Sequence, residues 1–146
     1  MTVIDRFLKF VSYHTTSDEN SQTCPSTARQ LKLAEELVRQ MQDMGIADAH
    51  VDENGYVYGT VPANCEKNIP VYGLIAHMDT APDAPGDNIK ARITDVYDGG
   101  DVTLNAEKNI LLSPKDYPQL KNAIGKHLIV TDGTTLLGAD DKAGVA

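Results

Sequence analysis

Two short segments carry residues able to do chemistry. In the first, His77 and Asp79 follow at once on the apolar run Val71-Tyr72-Gly73-Leu74-Ile75-Ala76. In the second, Asp140 and Asp141 lie within Gly138-Ala139-Asp140-Asp141-Lys142-Ala143-Gly144, reached from the strand-like Leu128-Ile129-Val130-Thr131 through a Gly-rich turn. A neutral imidazole is the commonest side-chain ligand for zinc-like ions. A metal-bound histidine usually donates its other N–H to a carboxylate. Asp79 can take that role, because residues two apart point to the same side of an extended chain. Asp140, near the start of a helix, is favoured by the backbone N–H groups and the dipole. Asp141 beside it makes the pair costly unless positive charge is near, and two metal ions sharing one carboxylate would provide it. Each segment also has a plainer reading: a loop histidine beside an unrelated aspartate, and an aspartate that serves only as an N-cap. Taken together, the two strand ends suggest a metal site shared between loops.

Other chemistries do not assemble. Gly133 to Gly138 matches the first half of a phosphate-binding loop, but Ala139-Asp140-Asp141 replaces the lysine and hydroxyl that such a loop needs. No Gly-x-Ser-x-Gly nucleophile turn is present. Cys24 and Cys65 stand in unrelated contexts and read as free thiols of a reducing, cytoplasmic compartment. His14, His50 and His127 occupy polar or terminal settings and read as surface residues.

The chain that must position these groups has 146 residues, enough for one domain with an ordinary core. With 41% apolar and 23% charged residues it reads as globular. A net charge of -8 argues against nucleic acid or an anionic membrane as partner. There is no apolar run of membrane-spanning length and no signal-peptide pattern at the N-terminus.

Thr2 and Asp5 predict a capped helix with Val3, Ile4, Phe7, Leu8 and Val11 on its apolar side. Thr27 and Gln30 predict a second capping box, opening a longer helix with Leu33, Ala34, Leu37, Val38, Met41 and Met44 in the core and Gly45 as its stop. Asn54-Gly55 between short alternating runs predicts a hairpin. The unbroken apolarity of residues 71–76 predicts a strand covered on both faces, in the middle of a helix-flanked sheet. Short strands are expected around 91–96, 102–104 and 110–112, partly as a β-ribbon, then a short helix within 117–124 and a strand at 128–131. From Asp140 onward the chain reads as the opening turns of a helix. The pattern predicts an α/β fold of three layers, a mixed and mostly parallel sheet flanked by helices, with the site at strand C-terminal ends.

Ile75 to Asp83 and Thr131 to Gly144 together closely resemble the M20 family of dizinc peptidases, and within it the branch that acts on tripeptides. Pro25-Ser26-Thr27, Pro62-Ala63-Asn64, Tyr97 to Asp101 and Leu112-Ser113-Pro114 extend the resemblance in matching order over essentially the whole chain. The resemblance implies that His77 is a ligand of one zinc and that Asp79 is the catalytic aspartate orienting it. It further implies that Asp140 bridges two zinc ions and that the Asp140–Asp141 peptide bond is cis. The implied activity is hydrolysis of the N-terminal residue from a small peptide, with other M20 activities (dipeptidase, carboxypeptidase or deacylase) and a non-catalytic metal-binding module as alternatives. The family's paired glutamates, a further aspartate ligand, a late histidine ligand and the lid domain have no counterpart in residues 1–146. The expectation is an N-terminal portion of the catalytic domain, inactive alone, with self-association through surfaces left open.

Overall fold

The computed structural model describes residues 1–146. Helix α1 spans Val3–Val11 and opens with the expected capping box: Asp5 N–H donates to the Thr2 hydroxyl at 3.1 Å, and Thr2 N–H donates to the Asp5 carboxylate at 2.8 Å. Its buried face presents Phe7, Phe10 and Val11. The second capping box does not close. The Gln30 amide donates to the hydroxyls of Ser26 and Thr27, both at 3.2 Å, and a single 3-10 turn, Ala28–Gln30, precedes α2 at Leu31–Asp43.

Helix α2 buries Leu33, Ala34, Leu37 and Gln40 and stops where expected. Gly45, at φ +92°, donates to Gln42 O, and Ile46 donates to Met41 O, each at 2.9 Å. These paired bonds satisfy carbonyls that the last turn would leave open. Met44 departs from the expected core. It sits at the C-cap, beyond the last turn that faces the interior, and is exposed with its sulfur 3.9 Å from Arg6 Nη1.

The strands are short and pair only antiparallel. β1 (His50–Val51) and β2 (Val57–Tyr58) flank the Asn54-Gly55 turn, with Asp52 accepting from the backbone of Asn54 and Tyr56. β3 (Arg92–Val96) pairs with β6 (His127–Val130), and β4 (Val102–Asn105) with β5 (Ile110–Leu112). The β4–β5 ribbon and a 3-10 helix at Pro118–Ala123 fill the stretch between β3 and β6, as the pattern predicts. Helix α3, Ala139–Val145, packs on α1, and Arg6 Nε donates to Ala146 O at 2.8 Å.

The architecture is therefore α/β, but the mostly parallel sheet expected from the sequence is absent from these 146 residues. Its only parallel contact is a bridge between Thr16 and Thr80. The predicted central strand 71–76 joins no sheet, and none of its backbone groups makes a hydrogen bond. Val71, Leu74 and Ile75 are 99%, 99% and 96% exposed. A strand needs a neighbour to satisfy its N–H and C=O groups, and no other segment of the chain lies alongside.

The core is small. Phe10, Leu33 and Leu37 form its centre, with Tyr13, Val57, Met78, Val145 and Ala146 against it. Glu36 ties the two long helices together by accepting from Lys9 Nζ at 2.6 Å and from Arg39 at 2.6 Å. The chain exposes 9944 Å². A folded monomer of 15.8 kDa exposes about 7,300 Å², so roughly 2,600 Å² of surface is in excess. No helix is long and apolar enough to cross a membrane.

Candidate metal centre

The segment that carries His77 is anchored on one side only. Met78 reaches the Phe10–Leu33–Leu37 cluster, which leaves its neighbours His77 and Asp79 on the opposite side. Thr80, buried, donates its N–H to Thr15 O at 3.2 Å and accepts at its carbonyl from Ser17 N–H at 2.9 Å. The loop after α1 thus fixes residues 78–80, while residues 71–76 lead in without support.

The second segment is held by a different set of bonds. Leu136 N–H donates to Pro85 O at 2.9 Å. Lys142 is fully buried and donates its Nζ to Tyr13 O at 2.8 Å. Asp140 and Asp141 have non-helical dihedrals within α3, and the peptide bond between them is cis, as the resemblance implies. Cys24–Pro25 is the other cis bond.

The two aspartates divide the roles that the sequence leaves open. Asp141 accepts from Gly144 N–H at 3.2 Å, three residues on, which is the contact of an N-cap. Asp140 turns instead to His77, whose Nε2 lies 3.0 Å from its Oδ1. On the other side of the ring, Nδ1 lies 3.1 Å from Asp79 Oδ1. The structure thus brings together His77, Asp79 and Asp140, across 63 residues of sequence. His77 and Asp140 line an open cavity of about 410 Å³ with Thr80, Leu136 and Leu137 in its wall.

An imidazole between two carboxylates must donate from both nitrogens, so this arrangement suits the protonated ring. Burial pulls the His77 pKa down. The hydrogen bonds that the ring donates to Asp140 and Asp79 outweigh it and hold the pKa above the ordinary 6.5. A cation would take the place of the Nε2 proton between the same two atoms. Two ligands about 2.1 Å from one tetrahedral ion lie roughly 3.4 Å apart, so 3.0 Å requires only a small opening. The donor pair therefore fits one ion in kind and nearly in spacing. No third His, Cys, Asp or Glu converges on the position, whereas catalytic zinc usually keeps about three protein ligands.

Lys142 and the Tyr13–Ser17 loop escape a reading of the sequence. A lysine after two aspartates suggests a surface ion pair. Here the small Ala143 and Gly144 accompany a side chain that turns inward. Burial pushes its pKa down to about 8, against the opposing influence of Asp79. The histidines outside the site behave largely as expected: His50 and His127 are exposed, and His14 is half-buried with Nε2 2.8 Å from Arg29 Nη1.

No family model matches the chain. Curated relatives do. The Peptidase T of Caldanaerobacter subterraneus subsp. tengcongensis is 58% identical over 144 residues, covering 99% of this chain and 35% of its own length. That of Clostridium acetobutylicum is 55% identical over 144 residues, and that of Desulfitobacterium hafniense strain Y51 is 57% identical over 145, with the same shares covered. The chain spans about a third of the length of these relatives. The resemblance carried by the two motifs is therefore one to peptidase T, and it runs through practically every residue of this chain.

Proposed function

We propose that residues 1–146 are part of the catalytic domain of a dizinc aminopeptidase that removes the N-terminal residue of tripeptides in the cytoplasm. The observation that carries this reading is His77, held by Asp79 at Nδ1 and facing Asp140 at Nε2. His77 would hold one zinc through Nε2, and Asp140 would be the carboxylate shared by both ions. Bound zinc would supply Lewis-acid polarisation of the scissile carbonyl and a water acidic enough to attack it.

The residues of the chain do the rest by position. Asp79 accepts the Nδ1 proton, which fixes the tautomer that leaves Nε2 free for the metal and makes that nitrogen more basic. Asp140 is kept at the mouth of the cavity because Asp141 caps the following turn and Lys142 anchors the segment to Tyr13. Leu136 and Leu137 give the cavity an apolar wall suited to a peptide side chain. Two donors do not complete a catalytic site, so residues 1–146 alone bind zinc weakly and do not turn over peptide. In the complete enzyme, run 71–76 is a strand of a mostly parallel, helix-flanked sheet.

Zinc titrated into the protein should shift the His77 ring resonances, and His77→Ala and Asp140→Ala should each weaken binding at least about tenfold. Binding indifferent to both substitutions would refute the site. Residues 1–146 joined to the remainder of the Caldanaerobacter relative should cleave tripeptides with a free amino terminus and spare acetylated ones. Equal cleavage of both would exclude an aminopeptidase and favour another M20 activity.

A further inference from the structure

The loop after α1 supplies no donor to the candidate site, yet both halves of that site hang on it. The loop is rooted in the core: Tyr13 N–H donates to Phe10 O at 3.1 Å, and the Tyr13 side chain packs on the Phe10–Leu33–Leu37 cluster. Thr15 O accepts from Thr80 N–H at 3.2 Å, and Ser17 N–H donates to Thr80 O at 2.9 Å. These bonds hold the segment that carries His77 and Asp79. Tyr13 O accepts from Lys142 Nζ at 2.8 Å, which holds the segment that carries Asp140.

We propose that Lys142 is a positioning residue of the metal pair: drawn to Tyr13, it holds Asp140 at the distance from His77 that a shared ion needs. The inference rests on the reading of His77 and Asp140 as zinc ligands. Among residues 1–146 the Asp140 carboxylate bonds to His77 alone, Nε2 to Oδ1 at 3.0 Å, so the backbone of its segment decides where it stands. The contacts close a ring. It runs from His77 and Asp79 to Thr80, from Thr80 to Thr15, from Tyr13 to Lys142, and from Asp140 back to His77. Apart from the ligands, Lys142 is the only side chain whose hydrogen bond closes that ring; the Thr80–Thr15 link is backbone to backbone.

Stability alone does not account for a lysine here. An ammonium with no exposed surface and one carbonyl acceptor is costly to bury, and Lys142 belongs to none of the ion pairs of the chain. Methionine would fill much the same volume at less cost. Burial works against the charged amine and the Asp79 carboxylate works for it, so the charge that steadies Lys142 belongs to the site it positions. Gly138 lets the two segments close. At φ +75° it takes a backbone that other residues rarely adopt, and a Cβ there would lie 3.1 Å from Thr80 Cγ2.

Lys142→Met tests this in residues 1–146, beside Glu36→Gln, which loosens α1 from α2 without touching the loop. In the metal-free protein a nuclear Overhauser contact should join the His77 ring to the Asp140 methylene. Lys142→Met should lose that contact and bind zinc at least about tenfold more weakly. Glu36→Gln should keep both, compared at equal folded fraction. Zinc should in turn slow hydrogen exchange of the Thr80 amide in the unaltered protein, because coupling between the site and its anchor is reciprocal. This last readout decides even where Lys142→Met does not fold: a Thr80 amide indifferent to bound zinc would overturn the proposal. So would absence of the His77–Asp140 contact from the unaltered protein. A contact and an affinity that survive Lys142→Met, or that Glu36→Gln reduces as much, would also overturn it and leave the zinc site standing. Loss of the contact in Lys142→Met, in a protein that binds no zinc at His77, would keep the positioning role and refute the zinc reading.

Discussion

Lys142 donates its Nζ to the main-chain carbonyl of Tyr13 at 2.8 Å from a side chain with no exposed surface, and so ties the segment of Asp140 to the loop after α1. Lys142→Ala removes most of a buried side chain and strands a carbonyl, and should cost about 2–4 kcal/mol in urea unfolding. Lys142→Met keeps the volume and removes the buried charge, and should cost less than half as much. Burial depresses this amine from 10.5 to about 8. Between those values the unfolded chain binds more protons than the folded one. Its contribution to stability therefore rises with pH across that window, and Lys142→Met should lose that rise.

Glu36 works in the opposite sense. Arg39 first, then Lys9 and Gln40, hold its carboxyl down to about 2 from 4.5 in spite of burial. That stability is fully present above 4.5 and is lost as pH falls toward 2. Glu36→Gln should cost about 1 kcal/mol at neutral pH and flatten the acid limb of the unfolding curve.

His77 has its pKa raised, so its contribution is fully present below 6.5 and is lost as pH rises through the higher folded value. Titration of the ring by NMR should give a midpoint above 6.5. Asp140→Asn and Asp79→Asn should each bring it down. Because zinc and the Nε2 proton compete for one nitrogen, zinc affinity should fall as pH drops below that midpoint.

Gly86 permits the close approach of Thr16 and Thr80. A Cβ there would collide with Thr16 Oγ1 and lie 3.1 Å from Thr80 Oγ1. Both neighbours are β-branched and stiff. Gly86→Ala should cost about 1–3 kcal/mol by thermal unfolding, and exchange protection of the Thr80 amide should drop with it.

Local chemistry was the legible part of this chain. Thr2 with Asp5, Gly45 after α2, and Asn54-Gly55 each specify their structure within a few residues, and all three form as their types predict. Thr27 with Gln30 carries the same code, but the Gln30 amide has two hydroxyls within reach and bonds to those instead. The covered strand expected at 71–76 does not form in these residues, because apolarity tells that a strand wants cover and not which segment covers it. Of the site, His77, Asp79 and the Asp140–Asp141 pair stand out as candidates by type and spacing, and only the resemblance singles out Asp140. That Asp141 and not Asp140 takes the capping role depends on backbone dihedrals that the residue types leave open. The anchors at Tyr13 and Lys142 depend on a contact across 129 positions, which no local pattern encodes.

The bonds that bring the segments of the site together are long-range: 64 residues separate Thr16 from Thr80, 63 separate His77 from Asp140, and 129 separate Tyr13 from Lys142. The hairpins and helices close over a few residues each. Loop closure taxes distant contacts first and rewards them last. During folding, the helices and the β1–β2 and β4–β5 ribbons therefore form early, and His77 meets Asp140 only when the distant loops finally converge. The chemistry of this chain is the last thing it assembles.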